Sequence, residues 1–515
     1  MTFLQRNARE LSVFALWGIM VLYLIAHHAI WADEARAWLI ATRIPTWQAL
    51  FEQTHIDGHP AVWYAMLRIA ALAYNGLSTL YIVHFIFSAI VVGFILALKN
   101  IPFALRFVLA MGGIFGFEYA VVARNYAPAI AAIMAFSYFY PQRHERPWLL
   151  GFLLAFSLNV HAGVATLVPC LLFPWFCEAP RVWRRPFWIA GGIVAIGMMI
   201  LWIQIYPPNP DSIFSKEILS PKMIRYFSSG HVFYGFFSFG FSDIYDLPVL
   251  IKYWVVPSII LFIATAFLLF RSVSWTVSAV GVIVLNAAFY AILYAAPSYR
   301  HGAIAFVGLT ALLGMAPVPL QRKIGVTMLT GLASVQLIRT LLAFAIPFSA
   351  SSAVRDILSK TEYAKAEILC IPDWTGQTIA ALIDRPCLML HADRKGDYHL
   401  FLRTDVKKSR VSLTEIYDWM AQTEAQGKPA LVHSRSNLTR PKLTEPLETG
   451  RRRRLTFEGP IWVAGTDAEI DWFYNSIEIL TDPIVTLSPD STFLFRLKPE
   501  FRGAPTPSAP PRTDP

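Results

Sequence analysis

Two carboxylates follow the first long apolar segment of the chain. Asp33 and Glu34 stand just before Arg36, and Asp57 and His59 form a second polar group directly before the next apolar segment. A carboxylate at a boundary between lipid and water, shielded from bulk solvent, can act as a general base toward a hydroxyl. An Asp at the start of a helix also accepts hydrogen bonds from free backbone N–H groups. For Asp33, both interpretations stay open.

Basic and aromatic residues recur at the ends of other apolar segments. Arg124 and Tyr126 begin one segment, His161 lies between two, and Arg300 and His301 begin another. Taken singly, each could be an ordinary interfacial anchor, because Arg and Tyr favour that depth. Arginine also neutralises charge that develops on a phosphate and can grip two of its oxygens. Together with the carboxylates, the set predicts a reaction in which a hydroxyl is deprotonated and a phosphate leaves.

The same residue types raise the question of a metal. Asp33, Asp57, His59 and His161 could in principle supply oxygen and nitrogen ligands, but no tight spacing such as His-Glu-x-x-His is present. We therefore expect no required metal and no other cofactor, with a divalent metal left open. The sequence also has no Walker loop and no Gly-rich dinucleotide turn, so it gives no support to a nucleotide-driven pump.

Composition indicates the elements that must position these residues. The 515 residues are 56% hydrophobic and only 15% charged, with a mean hydropathy of +0.48, whereas an average soluble domain is about 25% charged. Residues 348–515 hold 22 of the 44 Lys and Arg and 22 of the 34 Asp and Glu. The first 347 residues therefore carry the whole net charge of +10. This pattern excludes a disordered chain and a disulfide scaffold, and it predicts a membrane domain followed by a soluble one.

We predict an α-helical polytopic membrane protein with about 11–13 spans and a small C-terminal α/β soluble domain. A bilayer core about 30 Å thick needs roughly 20 apolar residues per helix. Twelve candidate spans follow from this: 11–30, 60–74, 78–98, 103–122, 126–140, 148–160, 162–176, 188–206, 250–270, 275–296, 302–317 and 324–346. The domains are then 1–347, transmembrane and catalytic; 348–503, soluble; and 504–515, a disordered Pro-rich tail.

Loop charges predict the orientation, because basic residues mark the cytoplasmic side. Arg6 and Arg9 place the N-terminus inside, and Arg322 with Lys323 marks the last inside loop. The soluble domain is then extracytoplasmic. Twelve spans would instead return the chain to the inside, so one span is missed or one short segment is not a full crossing. Eight acidic residues lie in two segments that we expect outside: Asp33, Glu34, Glu52 and Asp57, then Asp211, Glu217, Asp243 and Asp246.

The soluble domain shows a small α/β pattern. A short helix is predicted over 375–383, and Cys370 and Cys387 flank it, so a disulfide between them is one alternative in an oxidising compartment. The four arginines at 451–454 are either a solvated loop or a site for anionic lipid headgroups. Short apolar runs predict strands at 368–371, 387–390, 430–432 and 493–497.

The polar motifs resemble those of the GT-C glycosyltransferases, most of all the family-39-type group with the protein O-mannosyltransferases and the aminoarabinose transferases of lipid A. Residues 33–36 resemble its D-E-x-R motif, and 57–64 (DGHPAVWY) resemble its HPPLWY-like entry to the second span, with Ala61 in place of the second proline. Residues 123–127 (ARNYA) and 299–302 (YRHG) resemble two further segments. The resemblance covers about residues 11–346 and does not extend to the soluble domain.

The resemblance implies an inverting transfer of a sugar from a polyprenyl-phosphate-linked donor to an acceptor hydroxyl. Asp33 would be the general base, and Glu34 or Asp57 would orient the acceptor or hold Asp33. The protein would be a multi-pass membrane protein, of the inner membrane in a bacterium, with an extracytoplasmic active site. Its partners would be the donor lipid and an acceptor lipid, glycan or protein, with no nucleic acid.

The resemblance also implies the binding residues, and the donor lipid is a substrate rather than a cofactor. Arg300 and His301, with Arg124 next, would bind the donor phosphate. The sugar and acceptor pocket would be formed by four further residues: His59, Tyr126, His161 and Arg36.

Other functions remain as alternatives. A transporter or flippase for a lipid-linked or anionic sugar would use intramembrane cations, for which Arg68 and Arg339 are the main candidates. It would also show paired, Gly- or Pro-broken spans near the middle of the membrane. An O-antigen-ligase-like enzyme would need a basic acceptor loop, but residues 31–59 are acidic. A structural membrane anchor would not explain the clustered acids.

Overall fold

The computed structural model describes residues 7–178, 184–207, 209–212, 260–293, 299–398, 400, 402, 404–434, 453–458, 461–481, 484, 486–487 and 492–502. The chain forms two units. The membrane unit comprises Met1–His28, Ile44–Pro210 and Ser215–Ile346. The C-terminal unit comprises Ala29–Arg43, Asp211–Phe214 and Pro347–Pro515. The short segment after the first apolar helix thus belongs to the C-terminal unit, although it lies within the predicted membrane domain in sequence.

The first 346 residues are helical wherever the structure describes them as regular. A π-helix at Gly113–Glu118 and a 3-10 helix at Ala162–Thr166 interrupt the series. The α-helices are α1 (Ala8–Ala26), α2 (Ala32–Arg43), α3 (Trp47–Ile56), α4 (Val62–Ala73), α5 (Leu77–Ala97), α6 (Phe103–Met111), α7 (Tyr126–Phe139), α8 (Pro147–Val160), α9 (Leu167–Glu178), α10 (Arg184–Ile205), α11 (Ile260–Leu269), α12 (Val273–Leu293), α13 (Tyr299–Met315) and α14 (Lys323–Ala343).

Among the described residues, five helices are long and apolar enough to cross a membrane: α1, α5, α10, α12 and α14. In α5, Ile82, Ile86 and Ile90 form an exposed apolar stripe four residues apart, and His84 and Ser88 are buried on another face. At 1.5 Å per residue, its 21 residues span about 31 Å, which matches the hydrocarbon thickness of a bilayer. The helical membrane character predicted from the sequence is therefore confirmed.

Two of the predicted spans are wrong as single helices. The span 103–122 breaks at Gly112, where α6 ends and the π-helix follows. A Cβ at Gly112 would lie 2.7 Å from the carbonyl oxygen of Val108 and 3.1 Å from Cβ of Gln336 on α14, so the end of α6 and the approach of α14 together favour glycine there. The span 162–176 begins as a 3-10 turn. Most of the predicted span 250–270 lies outside the described residues, and α11 is its described end.

The C-terminal unit contains a mixed six-stranded sheet with the order β3-β2-β1-β5-β9-β8 and a three-stranded sheet with the order β4-β7-β6. In the larger sheet β1 is parallel to β2 and β5, and the other pairs are antiparallel. The strands are β1 (Glu367–Ile371), β2 (Cys387–Met389), β3 (Arg394–Gly396), β4 (Arg410–Ser412), β5 (Ala430–Ser434), β6 (Arg453–Glu458), β7 (Ile461–Gly465), β8 (Ile477–Ile479) and β9 (Phe493–Leu497).

Side chains of the larger sheet alternate between two buried faces, as the pleat requires. Leu369, Val432 and Phe495 face one core, which α17 (Leu413–Ala425) also fills. Cys370, Leu431 and Leu494 face the other core, which α15 (Ser351–Leu358) and α16 (Gly376–Ile383) fill. The four predicted strands and the predicted helix at 375–383 are thereby confirmed. The last helix, α18, runs over Asp467–Ser476.

Cys370 and Cys387 form a disulfide between β1 and β2, with Cα atoms 6.0 Å apart. This decides the pairing that the sequence left open. Gly376, the first residue of α16, packs directly on both sulfur atoms, and a Cβ there would collide with Sγ of Cys387. The bridge therefore lies directly beneath the first turn of α16.

Several sequence predictions fall on residues that are not described. Glu217, Asp243 and Asp246 of the second acidic segment are among them, as is the tail at 504–515. The described member of that segment, Asp211, accepts a hydrogen bond from the Thr404 backbone N–H at 3.2 Å. Of the four-arginine run, the described part begins β6 at Arg453.

Candidate functional site

The predicted site residues fall into both units. Asp33, Glu34 and Arg36 lie on α2 in the C-terminal unit. The other seven lie in the membrane unit: Asp57, His59, Arg124, Tyr126, His161, Arg300 and His301.

Aromatic rings connect several of the predicted residues of the membrane unit. The Tyr126 ring lies between the rings of Tyr119 and His161, with centroid distances of 5.0 Å and 4.1 Å. The His301 ring lies 4.5 Å from that of Tyr290. Gly163 lies between the Tyr126–His161 pair and the Tyr290–His301 pair, because a Cβ there would collide with the Tyr290 hydroxyl and approach the His161 ring. The structure thus brings together His161, Tyr126 and His301 from three different helix ends.

Hydrogen bonds show, for two histidines, whether Nδ1 carries a proton. Nδ1 of His161 accepts the Gly163 backbone N–H at 3.0 Å, so this imidazole is neutral and carries its proton on Nε2. Nδ1 of His59 donates to the Asp57 carbonyl oxygen at 2.9 Å, so its Nε2 is an acceptor when the ring is neutral. His59 and Arg124 lie close enough to His161 and His301 for a positive charge on either of them to act on both rings.

A buried carboxylate connects two arginines beside these rings. Glu118, the last residue of the π-helix, is 3% exposed. Its Oε1 lies 3.3 Å from Nε of Arg300, and its Oε2 lies 2.8 Å from Nη2 of Arg339. The Tyr119 hydroxyl donates to the Arg300 carbonyl oxygen. We call this group the polar cluster: Glu118, Tyr119, Arg124, Tyr126, His161, Tyr290, Arg300, His301 and Arg339.

The motifs of the sequence do not include Glu118, Tyr119 and Tyr290, and they assign Arg339 only to the alternative of a transport path. The signal for Glu118 was an acidic residue inside a predicted span, which is unfavourable in a membrane unless it has a partner or a function. The other intramembrane candidate, Arg68, donates to the carbonyl oxygens of Ile44 and Pro45 at 2.8 Å and 2.9 Å.

A second network holds the turn that carries Asp57 and His59. Gln204 on α10 donates to Oδ1 of Asn159 at 2.7 Å and accepts the Ala61 backbone N–H at 2.9 Å. The backbone carbonyl oxygen of Gln204 accepts a hydrogen bond from Nδ1 of His55 at 2.8 Å. Asp57 itself accepts from Nε2 of Gln53 at 3.0 Å. The entry to α4 is therefore tied to the ends of α8 and α10, a role for Gln204 that the sequence did not reveal.

On α2, the two acids of the motif differ in environment. Glu34 is completely buried, and its Oε2 accepts the Trp31 backbone N–H at 2.9 Å, as the acid of a capping box does. Glu34 thus holds the first turn of the helix that carries Asp33. The Asp33 side chain is half-buried. Glu34 itself thus makes a capping contact at this helix start.

Arg36 contributes to the packing of α2 within the C-terminal unit. Its Nη1 donates to Oε1 of Gln377 on α16 at 2.9 Å, and its guanidinium lies 5.9 Å from the centre of the Tyr398 ring. One further ion pair, Arg43 with Asp384, joins α2 to the end of α16. Arg36 therefore attaches the acid-bearing helix to the sheet domain, which is a structural role beyond the predicted binding role.

The contact with α16 occurs near the carboxyl ends of the parallel strands. Asp373 follows β1 and His391 follows β2, and both side chains are fully buried. The Asp373 carboxylate lies 3.0 Å from Nδ1 of His391 and accepts the backbone N–H groups of His391 and Ala392 at 3.2 Å and 2.9 Å. Such edges are the usual ligand crevice of α/β sheets. Here the edge holds the loop that precedes α16.

The C-terminal unit also has a cleft of about 670 Å³ near the start of β5. Its ionic side chains pair with one another or with neighbours. Arg502 lies 3.1 Å from Glu424, and Arg496 lies 2.7 Å from Glu478 outside the cleft lining. Burial raises the pKa of the Glu424 carboxyl above its ordinary value. The cleft is therefore lined by largely compensated charge.

Neither metal-ligand geometry nor known proteins identify the site. In the part of the chain that the structure describes, no three His, Cys, Asp or Glu side chains are grouped so that they could hold a metal ion. No protein-family model matches the chain, and no curated protein is significantly similar to it.

Proposed function

We propose that this protein is a membrane glycosyltransferase that moves a sugar from a polyprenyl-phosphate donor to an acceptor hydroxyl. The observation that carries the proposal is the polar cluster itself. Arg124, Tyr126, His161, Arg300 and His301 come from three helix ends, and they converge in a unit whose long helices are suited to a membrane. Ionisable groups at that depth indicate a functional site.

The charge of the cluster supports a departing phosphate. Arg124, Arg300 and Arg339 with Glu118 carry a formal net charge of +2, and His161 is neutral. A polyprenyl-phosphate sugar is a phosphodiester with one negative charge. The polyprenyl phosphate that leaves is a monoester, which carries a charge of about −1.5 to −2 at neutral pH. The cluster is thus more complementary to the leaving group than to the intact donor, and such differential binding lowers the barrier.

In the proposed reaction, Asp33 removes the proton from the acceptor hydroxyl. The acceptor oxygen attacks the anomeric carbon from the face opposite the phosphate. The bond from that carbon to the phosphate oxygen breaks, and its electron pair leaves with the polyprenyl phosphate. The configuration at the anomeric carbon is inverted. Arg300, His301 and Arg124 stabilise the phosphate.

The rings of the cluster suit a sugar. Tyr126 and Tyr119 present aromatic surface, on which the apolar face of a sugar can pack. His161 offers an N–H donor at Nε2, and His59 offers an acceptor at Nε2. This pairing of one donor with one acceptor can recognise hydroxyl groups and fix the orientation of the sugar.

The proposal is tested with purified protein in detergent, polyprenyl-phosphate sugars and an extract of envelope acceptors. We expect sugar transfer with release of polyprenyl phosphate, which a transporter would not catalyse. Asp33→Asn should lower the rate by about 10²- to 10⁴-fold, because a general base contributes that much, while the amount of protein in membranes stays unchanged.

Glu52→Gln is the matched control for Asp33→Asn. Glu52 belongs to the same acidic segment, is exposed, and accepts a hydrogen bond from Gln48 at 2.9 Å. We expect it to keep the wild-type rate. Near-normal turnover by Asp33→Asn would remove Asp33 from the reaction, and the absence of transfer by the wild-type protein would count against the enzyme itself.

A further inference from the structure

Glu118 is a carboxylate buried between two arginines within the membrane unit. Glu118 is 3% exposed, Arg300 7% and Arg339 1%. A buried ion pair is weak evidence for stability, because apolar residues of the same size often replace it without loss. In this group a single carboxylate serves two guanidinium groups, so the three side chains together carry one positive charge. A buried net positive charge in the membrane unit is electrostatically complementary to a bound anion.

We propose that Glu118 is a positioning residue for the donor phosphate, which it serves by fixing Arg300 against Arg339. The inference rests on the proposed function and extends it to a residue that the sequence motifs do not include. Arg339 is fully buried and acts through Glu118. Arg300 is the arginine that binds the phosphate.

The geometry of Arg300 fits this role. Glu118 contacts it through Nε at 3.3 Å. This contact is an ion pair without hydrogen-bond geometry, so the carboxylate attracts the guanidinium from its Nε side by charge. The terminal nitrogens are the atoms that grip two phosphate oxygens. The Tyr119 hydroxyl also donates to the backbone carbonyl of Arg300. Two consecutive residues, Glu118 and Tyr119, thus hold the side chain and the main chain of one arginine.

The segment that carries Glu118 is itself held from several sides. The Trp17 indole donates to the Phe115 carbonyl oxygen at 3.0 Å, and the Ser88 hydroxyl donates to that of Tyr119 at 3.0 Å. Gly113 packs so closely on α14 that a Cβ would lie 2.8 Å from Cβ of Arg339. Short π-helices occur frequently at functional sites. This one places Glu118 against both arginines, and its neighbours Phe115 and Tyr119 are held by hydrogen bonds from α1 and α5.

The test compares Glu118→Asp with Glu10→Asp in the full-length protein in detergent. Both changes keep the charge and withdraw the carboxylate by one methylene from an arginine, since Glu10 lies 3.0 Å from Nη1 of Arg106. Binding is measured by calorimetry for two probes, a polyprenyl phosphate and the uncharged polyprenol of equal length. A displacement of about 1 Å can reduce function by up to about 10²-fold.

We expect Glu118→Asp to bind the polyprenyl phosphate about tenfold to hundredfold more weakly and the polyprenol as well as the wild type does. Glu10→Asp should bind both probes normally. Wild-type affinity of Glu118→Asp for the phosphate would overturn the inference. Equal weakening for both probes would also overturn it, because that is the effect of a merely structural residue.

A second variant covers the case in which Glu118→Asp does not fold. The double change Glu118→Gln with Arg339→Gln keeps the net charge of the three side chains at +1 and does not substitute Arg300. We expect it to lose phosphate affinity by the same factor, and normal affinity would contradict the positioning role.

The proposed function and the positioning role of Glu118 can be contradicted independently of each other. If Glu118→Asp binds the phosphate more weakly but Asp33→Asn transfers sugar at the full rate, the assignment of Asp33 as the base is wrong and the positioning role of Glu118 stands. If Asp33→Asn abolishes transfer but Glu118→Asp binds the phosphate normally, the positioning role of Glu118 is wrong and the proposed function stands.

Discussion

Gly163 packs tightly against two rings of the polar cluster. A Cβ there would collide with the Tyr290 hydroxyl and lie 2.7 Å from Cε1 of His161. Its backbone N–H is also the donor that fixes the neutral form of His161. A methyl group at this position must therefore displace one of the two rings.

We predict that Gly163→Ala lowers the transfer rate by at least about tenfold, because small misplacements of binding groups reduce rates strongly. The rate is measured in detergent beside Gly191→Ala on α10, where a Cβ would meet no atom within 4 Å. The control should behave as the wild type. Equal rates for both variants would show that the rings tolerate the displacement.

His433 gives the C-terminal unit a dependence on pH. It is 1% exposed, and burial lowers its pKa from the ordinary 6.5 to about 4. The folded state therefore keeps the ring neutral where the unfolded chain binds a proton. Burial of His433 therefore does not reduce the free energy of unfolding above about pH 6.5. As the pH falls from there toward 4, the free energy of unfolding decreases by about 1.4 kcal/mol per pH unit.

We predict that His433→Asn flattens the pH dependence of unfolding between about pH 7 and pH 5. The measurement follows unfolding of the full-length protein in detergent, and it compares slopes rather than absolute stabilities. Glu367 and Glu478 have a lowered carboxyl pKa because of their partners Lys395 and Arg496, so they respond at lower pH. Parallel slopes for wild type and variant would contradict the role of His433.

At the residue scale, the sequence predicted those members of the cluster that are unusual at the ends of apolar segments. Arg124, Arg300 and His301 stand out because charged residues are rare there. Tyr290 could not be recognised in this way, because aromatic residues are common near membrane surfaces. Glu118 had a signal as an acid inside a predicted span, but its pairing required the fold, since Arg339 lies 221 residues away in sequence.

At the scale of elements, the disulfide between β1 and β2 supports the first turn of α16. That helix carries Gln377, which binds Arg36 of α2. The bridge closes a loop with a sequence separation of 17 residues, for which the stabilisation expected from restricting the unfolded chain is about 3 kcal/mol.

We predict that the double change Cys370→Ser with Cys387→Ser lowers the stability of the C-terminal unit by about this amount. Thermal unfolding of the full-length protein is the measurement, and Cys177→Ser is the control because that thiol is free and exposed. An unchanged midpoint for the double variant would mean that the bridge does not contribute to stability.

The elements themselves were predictable to different degrees. Short apolar runs located β1, β2, β5 and β9 because each is a buried strand with polar flanks. The break after α6 was not predictable, since both sides of Gly112 are apolar and its tight packing on Val108 and on α14 is visible only in the fold. The assignment of α2 to the C-terminal unit was also hidden, because Arg36 and Gln377 are 341 residues apart.

At the scale of the whole molecule, the uneven charge distribution was the most informative property of the sequence. It separated a charge-poor region from one with ordinary charge density, and the structure has apolar helices in the first and two sheets in the second. The number of spans stays a prediction from the apolar segments, and the side of the membrane stays a prediction from the loop charges.

The central claim is that the chain transfers a sugar with Asp33 as the base. The most direct measurement is mass spectrometry of envelope glycans and lipids from three strains: wild type, deletion, and deletion complemented with Asp33→Asn. We predict that the deletion and the Asp33→Asn strain lack the same sugar-sized mass on the same molecule, although the variant protein is present in membranes. Complete restoration of that mass by Asp33→Asn would contradict the account.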